Sequence, residues 1–193
     1  MKRSLGAKTL AQPTPLWIVG SYDNDGKPNA MAAAWGGICC SNPPCVAVSL
    51  RAERHSYESI LARRAFTISV PSAKYAAEAD YFGIASGKNH NKFAETGLTP
   101  VRSDIVDAPY VGEFPLVLEC SLQRTVPLGI HFQFIGEIQD VKAEDYVLDA
   151  KGYPDIAKIQ PLIFTPMTRT YHTVGEYLGQ AFEIGQKFHP EKR

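Results

Sequence analysis

The residues best suited to chemistry lie between Asn29 and Arg51, in the stretch NAMAAAWGGICCSNPPCVAVSLR. An asparagine is followed by small residues around one methionine, and Trp35 ends the run. Small side chains beside an aromatic ring let a planar heteroaromatic ligand approach the backbone closely. The same residues also fit a strand, loop and strand with a tightly packed alanine patch, and this stretch alone does not decide between the two interpretations.

A second polar stretch, Ser86–Phe93 (SGKNHNKF), indicates an anion site. Its glycine spacing fails the Walker pattern G-x-x-x-x-G-K, and Asn89 follows the lysine where that pattern needs Ser or Thr. Lys92 supplies a point charge for a phosphate, and Ser56 begins a predicted helix whose first N–H groups favour an anion. Lys88 is equally well explained as a solvated surface lysine.

A histidine in a predicted strand is a further candidate for a site. His131 lies in the segment GIHFQFIGEI, where Phe132 and Phe134 alternate to one side. His131 therefore faces the other side together with Gln133. A histidine on the polar side of a barrel strand is either solvent-exposed or lines a site, and the spacing leaves both open.

The four cysteines form neither a disulfide framework nor a zinc motif. Cys39 and Cys40 are adjacent, and the spacings of cysteine and histidine do not match a zinc site. A redox role for the adjacent pair is an open alternative, but neighbouring thiols are usually unpaired in the cytosol. Cys120 lies in an apolar run, as a small core residue does.

Composition excludes several classes of function. The chain of 193 residues carries 20 basic and 20 acidic residues, so we expect neither nucleic acid nor an anionic membrane as a partner. Apolar runs stay well below the roughly 18 residues that a membrane helix needs. The N-terminus starts with basic residues but has no apolar region of a secretory signal, so we expect a cytoplasmic protein. The motifs of hydrolytic triads and of dinucleotide-binding folds are also missing.

The hydrophobic pattern predicts mostly strands, with short helices between them. We expect strands at 16–22, 30–35, 45–50, 65–70, 115–123, 130–141 and 162–164, and helices at 56–64 and 73–82. Residues 92–96 are expected to be irregular or helical, and residues 176–188 have partly helical spacing. The lack of regular βαβ alternation favours a closed antiparallel barrel over a doubly wound sheet. We expect one domain over 1–193, with a core at about 13–165 and a C-terminal tail that packs on it or on a partner subunit.

Six short motifs, in one order along the chain, resemble the flavin reductase-like family of FMN-binding split barrels. Each motif is weak alone, but their common order from about residue 13 to 164 makes the resemblance specific. They are N-A-M-x-A-x-W at 29–35, N-P-P with V-x-V-S-L-R within 42–51, H-S-Y-x-S-I at 55–60, F-x-I-S-V-P at 66–71, S-G-K-N-x-x-K-F at 86–93 and H-x-x-x-I-G-E at 131–137.

The resemblance implies a mainly β fold, a six-stranded antiparallel Greek-key split barrel with short peripheral helices. It also implies a homodimer that binds FMN non-covalently near the subunit interface. Asn29, Met31 and Trp35 would contact the isoalloxazine ring. Ser56 and Lys92 would contact the phosphate. The full set of implied cofactor-binding residues is Asn29, Ala30, Met31, Ala32, Trp35, Ser49, Arg51, Ser56, Lys92, His131 and Phe164.

Two redox functions fit these residues. One is an FMN-dependent oxidoreductase that takes electrons from NAD(P)H or a protein donor and passes them to a second acceptor. The other is an electron carrier between protein partners, without NAD(P)H turnover of its own. A binding barrel without redox turnover is the third alternative. Because the first two need the same pocket, the residues alone do not separate them.

Overall fold

The computed structural model describes residues 1–189 of the chain. Strands dominate, and the helices are short. The strands are β1 Thr14–Pro15, β2 Trp17–Tyr22, β3 Pro28–Ala33, β4 Gly36–Ser41, β5 Pro44–Arg51, β6 Ala65–Val70, β7 Pro100–Arg102, β8 Pro109–Val111, β9 Leu116–Leu128, β10 His131–Ala143, β11 Ile163–Thr165 and β12 Thr170–His172; the helices are α1 His55–Arg63, α2 Ala76–Ile84, α3 Lys92–Thr96 and α4 Ile156–Ile159.

The main sheet has the strand order β3-β2-β6-β9-β10-β5-β4, and all its pairs are antiparallel. Its two edge strands, β3 and β4, are consecutive in the chain and are joined by only Ala34 and Trp35. The chain thus passes from one edge of the sheet to the other through two residues, which closes the sheet into a barrel. Counted as one bent strand, β3 and β4 give the six-stranded antiparallel barrel that the resemblance implied.

Two hydrophobic clusters hold the barrel and its helices together. The first fills the barrel interior and includes Val48, Phe66 and Phe134. The second lies between strands β2 and β3 and helices α2 and α3, and it includes Ala30 and Phe82. Alternation along β3 assigns its residues to the two clusters in turn, since successive side chains of a strand point to opposite faces.

Helix α1 follows β5 and covers one end of the barrel. Ile60 is fully buried in the interior cluster, and Ser56 is also buried. The helix ends where Arg64 adopts a left-handed conformation, with φ of 53°. The predicted helix over 56–64 is confirmed within one residue at each end.

The structure differs from the sequence expectations in several elements. Strand β9 runs five residues past its expected end at 123, and β1, β7, β8, β12 and α4 were not predicted. The strand expected at 30–35 begins at Pro28 and ends at Ala33, and the next segment, Gly36–Ser41, is a strand that the pattern did not predict. The helix expected at 73–82 is a 3₁₀ turn over Ala73–Tyr75 followed by α2. The tail forms turns and a 3₁₀ helix at Gln186–Phe188, with no amphipathic α-helix among its described residues.

None of the helices formed by residues 1–189 has the length and apolar content needed to cross a bilayer.

Candidate functional site

A small cavity of about 100 Å³ opens where β3, the start of α1 and the segment from α2 to α3 meet. Three separate parts of the chain, which carry three of the motifs, supply its walls. The lining residues are Asn29, Met31, Ala32, Glu53, Arg54, His55, Ser56, Phe82, Gly83, Ala85, Ser86, Gly87 and Lys92.

The N-terminus of α1 forms one wall of the cavity. Arg54 occupies the N-cap position in an extended conformation, and its side chain makes no capping hydrogen bond. The first N–H groups of a helix lack intrahelical partners and carry the positive end of the helix dipole, so they favour an anion. The Ser56 hydroxyl lies in this first turn and accepts a hydrogen bond of 2.9 Å from Asn29 Nδ2.

Lys92 supplies a buried positive charge on the opposite wall. Lys92 is the first residue of α3. It is only 4 % exposed, although it lines the cavity. Its Nζ donates a hydrogen bond of 3.3 Å to the backbone oxygen of Phe82. Burial, and secondly the charge of Arg54, lower the pKa of Lys92 to about 8. The ion pairs found among residues 1–189 do not include Lys92, so its charge has no carboxylate partner there.

Gly87 brings the backbone of the loop between α2 and α3 close to the other walls. A Cβ atom at this position would lie 2.3 Å from Asn29 Oδ1 and 2.7 Å from His55 Cδ2. Non-bonded carbon atoms do not approach other heavy atoms this closely. Any residue larger than glycine would therefore displace both neighbours. The cavity therefore depends on glycine at this position.

A group of polar side chains anchors the same loop from outside. The Tyr81 hydroxyl donates a hydrogen bond of 2.5 Å to Glu95 Oε2, and His90 Nδ1 lies 3.3 Å from Glu95 Oε1. The hydrogen bond from Tyr81 is the main cause that lowers the pKa of Glu95. These contacts join α2, the loop and α3, and so they hold Gly87 and Lys92 at fixed positions.

The structure brings five of the implied residues together at the cavity. Asn29, Met31 and Ala32 lie on β3, Ser56 on α1 and Lys92 on α3. Asn29 is hydrogen-bonded to Ser56, so it lies beside the first turn of α1.

Ala30 points elsewhere. It is fully buried in the cluster between β3 and the helices, and it does not line the cavity.

Four other implied residues do not line the cavity and lie in or beside strands β5 and β10: Trp35, Ser49, Arg51 and His131. The N–H of Ser49 donates a hydrogen bond of 2.8 Å to the backbone oxygen of Trp35. His131 lies opposite Arg51 in the β10–β5 ladder, and Arg51 makes an ion pair of 3.0 Å with Glu53. Glu53 itself lines the cavity, so this group lies next to it but not within it.

Phe164 lies on a second, three-stranded sheet formed by β1, β11 and β12. Its ring centroid is 5.7 Å from that of Tyr171, whose hydroxyl donates a hydrogen bond of 2.7 Å to Asp80 Oδ1 on α2. Burial, and then this hydrogen bond, raise the pKa of Tyr171. Phe164 is thus tied to α2 but does not reach the cavity lining.

Several lining residues were not in the implied set. The motif S-G-K-N located the loop, but nothing in its letters shows that Gly87 packs against Asn29. Arg54 and His55 precede a predicted helix, and the anion preference of such a position is the one signal that singles them out. Glu53, Phe82, Gly83 and Ala85 have residue types without a distinctive pattern.

The size of the cavity limits what it can hold. Pockets for whole cofactors usually measure about 300–1,000 Å³. A cavity of about 100 Å³ holds a phosphate-sized group, and the remainder of a larger ligand would extend along β3 to the surface. Uncapped helix N–H groups, a hydroxyl and a buried ammonium are the donor set that a phosphate monoester requires.

Comparison with known proteins identifies the family of this chain. Residues 10–174 match the model of the flavin reductase like domain. The chain is 57 % identical to the flavoredoxin of Desulfovibrio vulgaris (Miyazaki F), covering 96 % of this chain and 100 % of that one with a TM-score of 0.92. It is 28 % identical to the flavoredoxin of Methanosarcina acetivorans, covering 97 % of both chains with a TM-score of 0.87.

A third relative is longer than this chain. The high molecular weight rubredoxin of Moorella thermoacetica is 34 % identical over 102 residues, which are 52 % of this chain and 43 % of that protein. The fold, the order of the motifs and the match over residues 10–174 lead to one conclusion: the chain belongs to the flavin reductase-like family.

Proposed function

We propose that this protein binds FMN non-covalently and uses it to transfer electrons from NAD(P)H or a protein donor to a second acceptor. The observation that carries the proposal is the buried Lys92 side chain, which lines the same phosphate-sized cavity as the uncapped start of α1. A buried cation without a carboxylate partner is costly unless an anionic ligand compensates it. The phosphate of FMN is such a ligand.

The cavity residues divide into two roles in this proposal. Lys92 and the first N–H groups of α1 hold the phosphate. The Ser56 hydroxyl donates a hydrogen bond to a phosphate oxygen. Asn29, which holds Ser56 in place, acts at the phosphate and ribityl end and not at the ring as the resemblance implied. When bound, FMN supplies reversible electron transfer, which protein side chains lack.

The ring would extend from the cavity along the edge strand β3, whose residues Met31 and Ala32 line the cavity. Trp35 and His131 do not line the cavity, so they would contact the ring only where it extends beyond the cavity. The cavity is too small for the ring. We therefore propose that a second copy of the chain covers the exposed ring, as expected for the homodimer that the resemblance implies.

An electron carrier is the second candidate function, and two comparisons favour it. The chain shares 57 % identity with a protein named flavoredoxin over the full length of that protein. Another relative bears the name high molecular weight rubredoxin, so rubredoxin is the protein donor that we use to test this candidate. A carrier would need the same FMN site but no site for a nicotinamide.

The test is to load the protein with FMN, remove free FMN, and mix it anaerobically with NADH or NADPH in a stopped-flow instrument. Bleaching of the flavin absorbance faster than for free FMN supports the oxidoreductase. Slow bleaching together with rapid reduction by reduced rubredoxin supports the carrier. If the purified protein is colourless and takes up no FMN offered in excess, both proposals are wrong.

A further inference from the structure

Three of the four cysteines meet in one β-hairpin, outside the site described above. In the ladder between β4 and β5, Cys40 is the direct partner of Cys45. The register shifts between Ile38 and Cys40, so Cys39 is an additional residue in a β-bulge beside this pair. The next pair, Ser41 with Pro44, closes the hairpin.

The ladder geometry allows a covalent link between Cys40 and Cys45. Direct partners in an antiparallel ladder have Cα atoms about 4.5–5.5 Å apart, with side chains on the same face. A disulfide needs Cα atoms about 4.4–6.8 Å apart. The two thiols can therefore join without a change in strand register, and the structure contains both as free cysteines.

The two thiols differ in their surroundings. Cys40 is exposed on an edge strand, whereas Cys45 is only 7 % exposed. Burial raises the pKa of the Cys45 thiol, and the nearby Cys40, Cys39 and Glu137 add to the increase. Cys40 is thus the accessible nucleophile, and Cys45 is a protected thiol beside it.

A metal site does not explain the cluster. No group of three or more His, Cys, Asp or Glu side chains within residues 1–189 is arranged to hold a metal ion. An accessible thiol with a second thiol directly behind it is instead the arrangement that thiol–disulfide exchange requires.

We propose that Cys40 and Cys45 form a reversible dithiol–disulfide site that exchanges with small disulfides in solution. The Cys40 thiolate attacks one sulfur of the disulfide, forms a mixed disulfide and releases the first thiolate. The Cys45 thiol then loses its proton and attacks Cys40 Sγ, which releases the second thiolate. The two cysteines are oxidised by two electrons, and the small disulfide is reduced to two thiols.

This site does not depend on bound FMN. Cys40 follows Trp35 by five residues of strand, a distance of about 16 Å at the rise of a β-strand. The dithiol therefore lies too far from the proposed ring position for direct contact, so its test stands apart from the test of FMN binding.

The experiment exposes the full-length protein to glutathione buffers of increasing oxidised fraction, then traps free thiols by alkylation in denaturant and measures intact mass. We expect two of the four thiols to become protected, with the loss of two hydrogens and no glutathione adduct, and dithiothreitol to reverse the change. Fragmentation of the tryptic peptide 9–51, which contains Cys39, Cys40 and Cys45, identifies which sulfurs are linked.

Three variants give the proposal a sharp test. Cys39→Ser is the matched control and should still lose two hydrogens as an intramolecular disulfide, whereas Cys40→Ser should form no intramolecular disulfide and Cys45→Ala should stop at a glutathione adduct on Cys40. The proposal is overturned if Cys40→Ser or Cys45→Ala still forms an intramolecular disulfide without an adduct, or if the wild type is protected only as glutathione adducts or cross-linked dimers. Because Cys40 is exposed, its variant will fold, and the fragmentation of wild-type peptide decides the linkage even if the Cys45 variant is unstable.

Discussion

Lys92 illustrates how one residue can oppose stability and serve binding. Its ammonium is buried with one hydrogen bond, and its pKa is lowered from 10.5 to about 8. Since one pKa unit corresponds to 1.36 kcal/mol, keeping Lys92 charged costs the folded protein about 3 kcal/mol at pH 7. A phosphate in the cavity would remove this penalty by compensating the charge.

Replacing Lys92 with Met should therefore stabilise the ligand-free protein while it weakens FMN binding. Loss of the hydrogen bond to the Phe82 carbonyl costs about 1 kcal/mol, which leaves a net gain of about 2 kcal/mol at pH 7. FMN affinity should fall by tenfold or more, and riboflavin affinity much less, because riboflavin lacks the phosphate. Urea unfolding measures the first effect, and quenching of flavin fluorescence measures the second.

The stability difference between the wild type and Lys92→Met should depend on pH. Below pH 8, Lys92 is charged in both the folded and unfolded states, so the penalty is complete. Between pH 8 and 10.5 the folded protein loses the proton first, and the stability of the wild type should rise toward that of the variant.

Lys88→Met, which removes an exposed lysine of the same loop, is the control and should change neither stability nor FMN affinity. Equal losses of FMN and riboflavin affinity would contradict the phosphate assignment.

At the scale of elements, the cavity exists because three segments pack around one glycine. Helix α1 supplies N–H groups, β3 supplies Asn29, and the loop before α3 passes between them at Gly87. The loop is held by the hydrogen bonds of Glu95, so it cannot move aside without cost.

Gly87→Ala should consequently lower FMN affinity by at least tenfold, because the added methyl group displaces Asn29 and His55. Titration of the apoprotein with FMN measures the effect. Gly37→Ala is the matched control, since a Cβ there meets no atom within 4 Å. If the two variants bind FMN equally well, the loop does not shape the site as described.

At the scale of the whole molecule, the sequence predicted the fold better than the site. The alternation in β5 and the amphipathic pattern of α1 are local signals, and both elements were placed within one residue. Strand β4 was missed because its glycines and exposed cysteines do not alternate, and only pairing with β5 makes it a strand.

The site shows the same division between local and distant signals. Ser56 and Lys92 were predicted to bind an anion from a helix start and a lysine-containing loop, and the structure places both at one cavity. Trp35 and His131 were grouped with them, yet they do not line that cavity, because the path of β3 into β4 is set by barrel closure. Such long-range geometry has no signature in spacing along the chain.

The exposed apolar surface of the molecule indicates an interaction with a second copy of the chain. The tail exposes five large apolar side chains, with exposed fractions from 57 % to 94 %: Tyr177, Leu178, Phe182, Ile184 and Phe188. An apolar groove of about 560 Å³ lies near the start of this tail, lined in part by Trp17, Ile38, Leu116 and Val174. Exposed apolar surface of this extent is typical of an interaction site. We therefore expect the tail to pack on a second copy of the chain.

Deleting residues 176–193 should shift the protein from dimer to monomer at micromolar concentration, as measured by light scattering after gel filtration. The full-length variant Leu178→Ser with Phe182→Ser should shift the same equilibrium, since burying two such side chains contributes about 3–6 kcal/mol. Tyr146→Ser removes an exposed aromatic residue outside the tail and should leave the dimer unchanged. A truncated chain that dissociates no more readily than the full chain would mean that the subunits meet elsewhere, and the long β9–β10 hairpin, with Leu128 and Ile130 exposed at its tip, would then be the surface to alter.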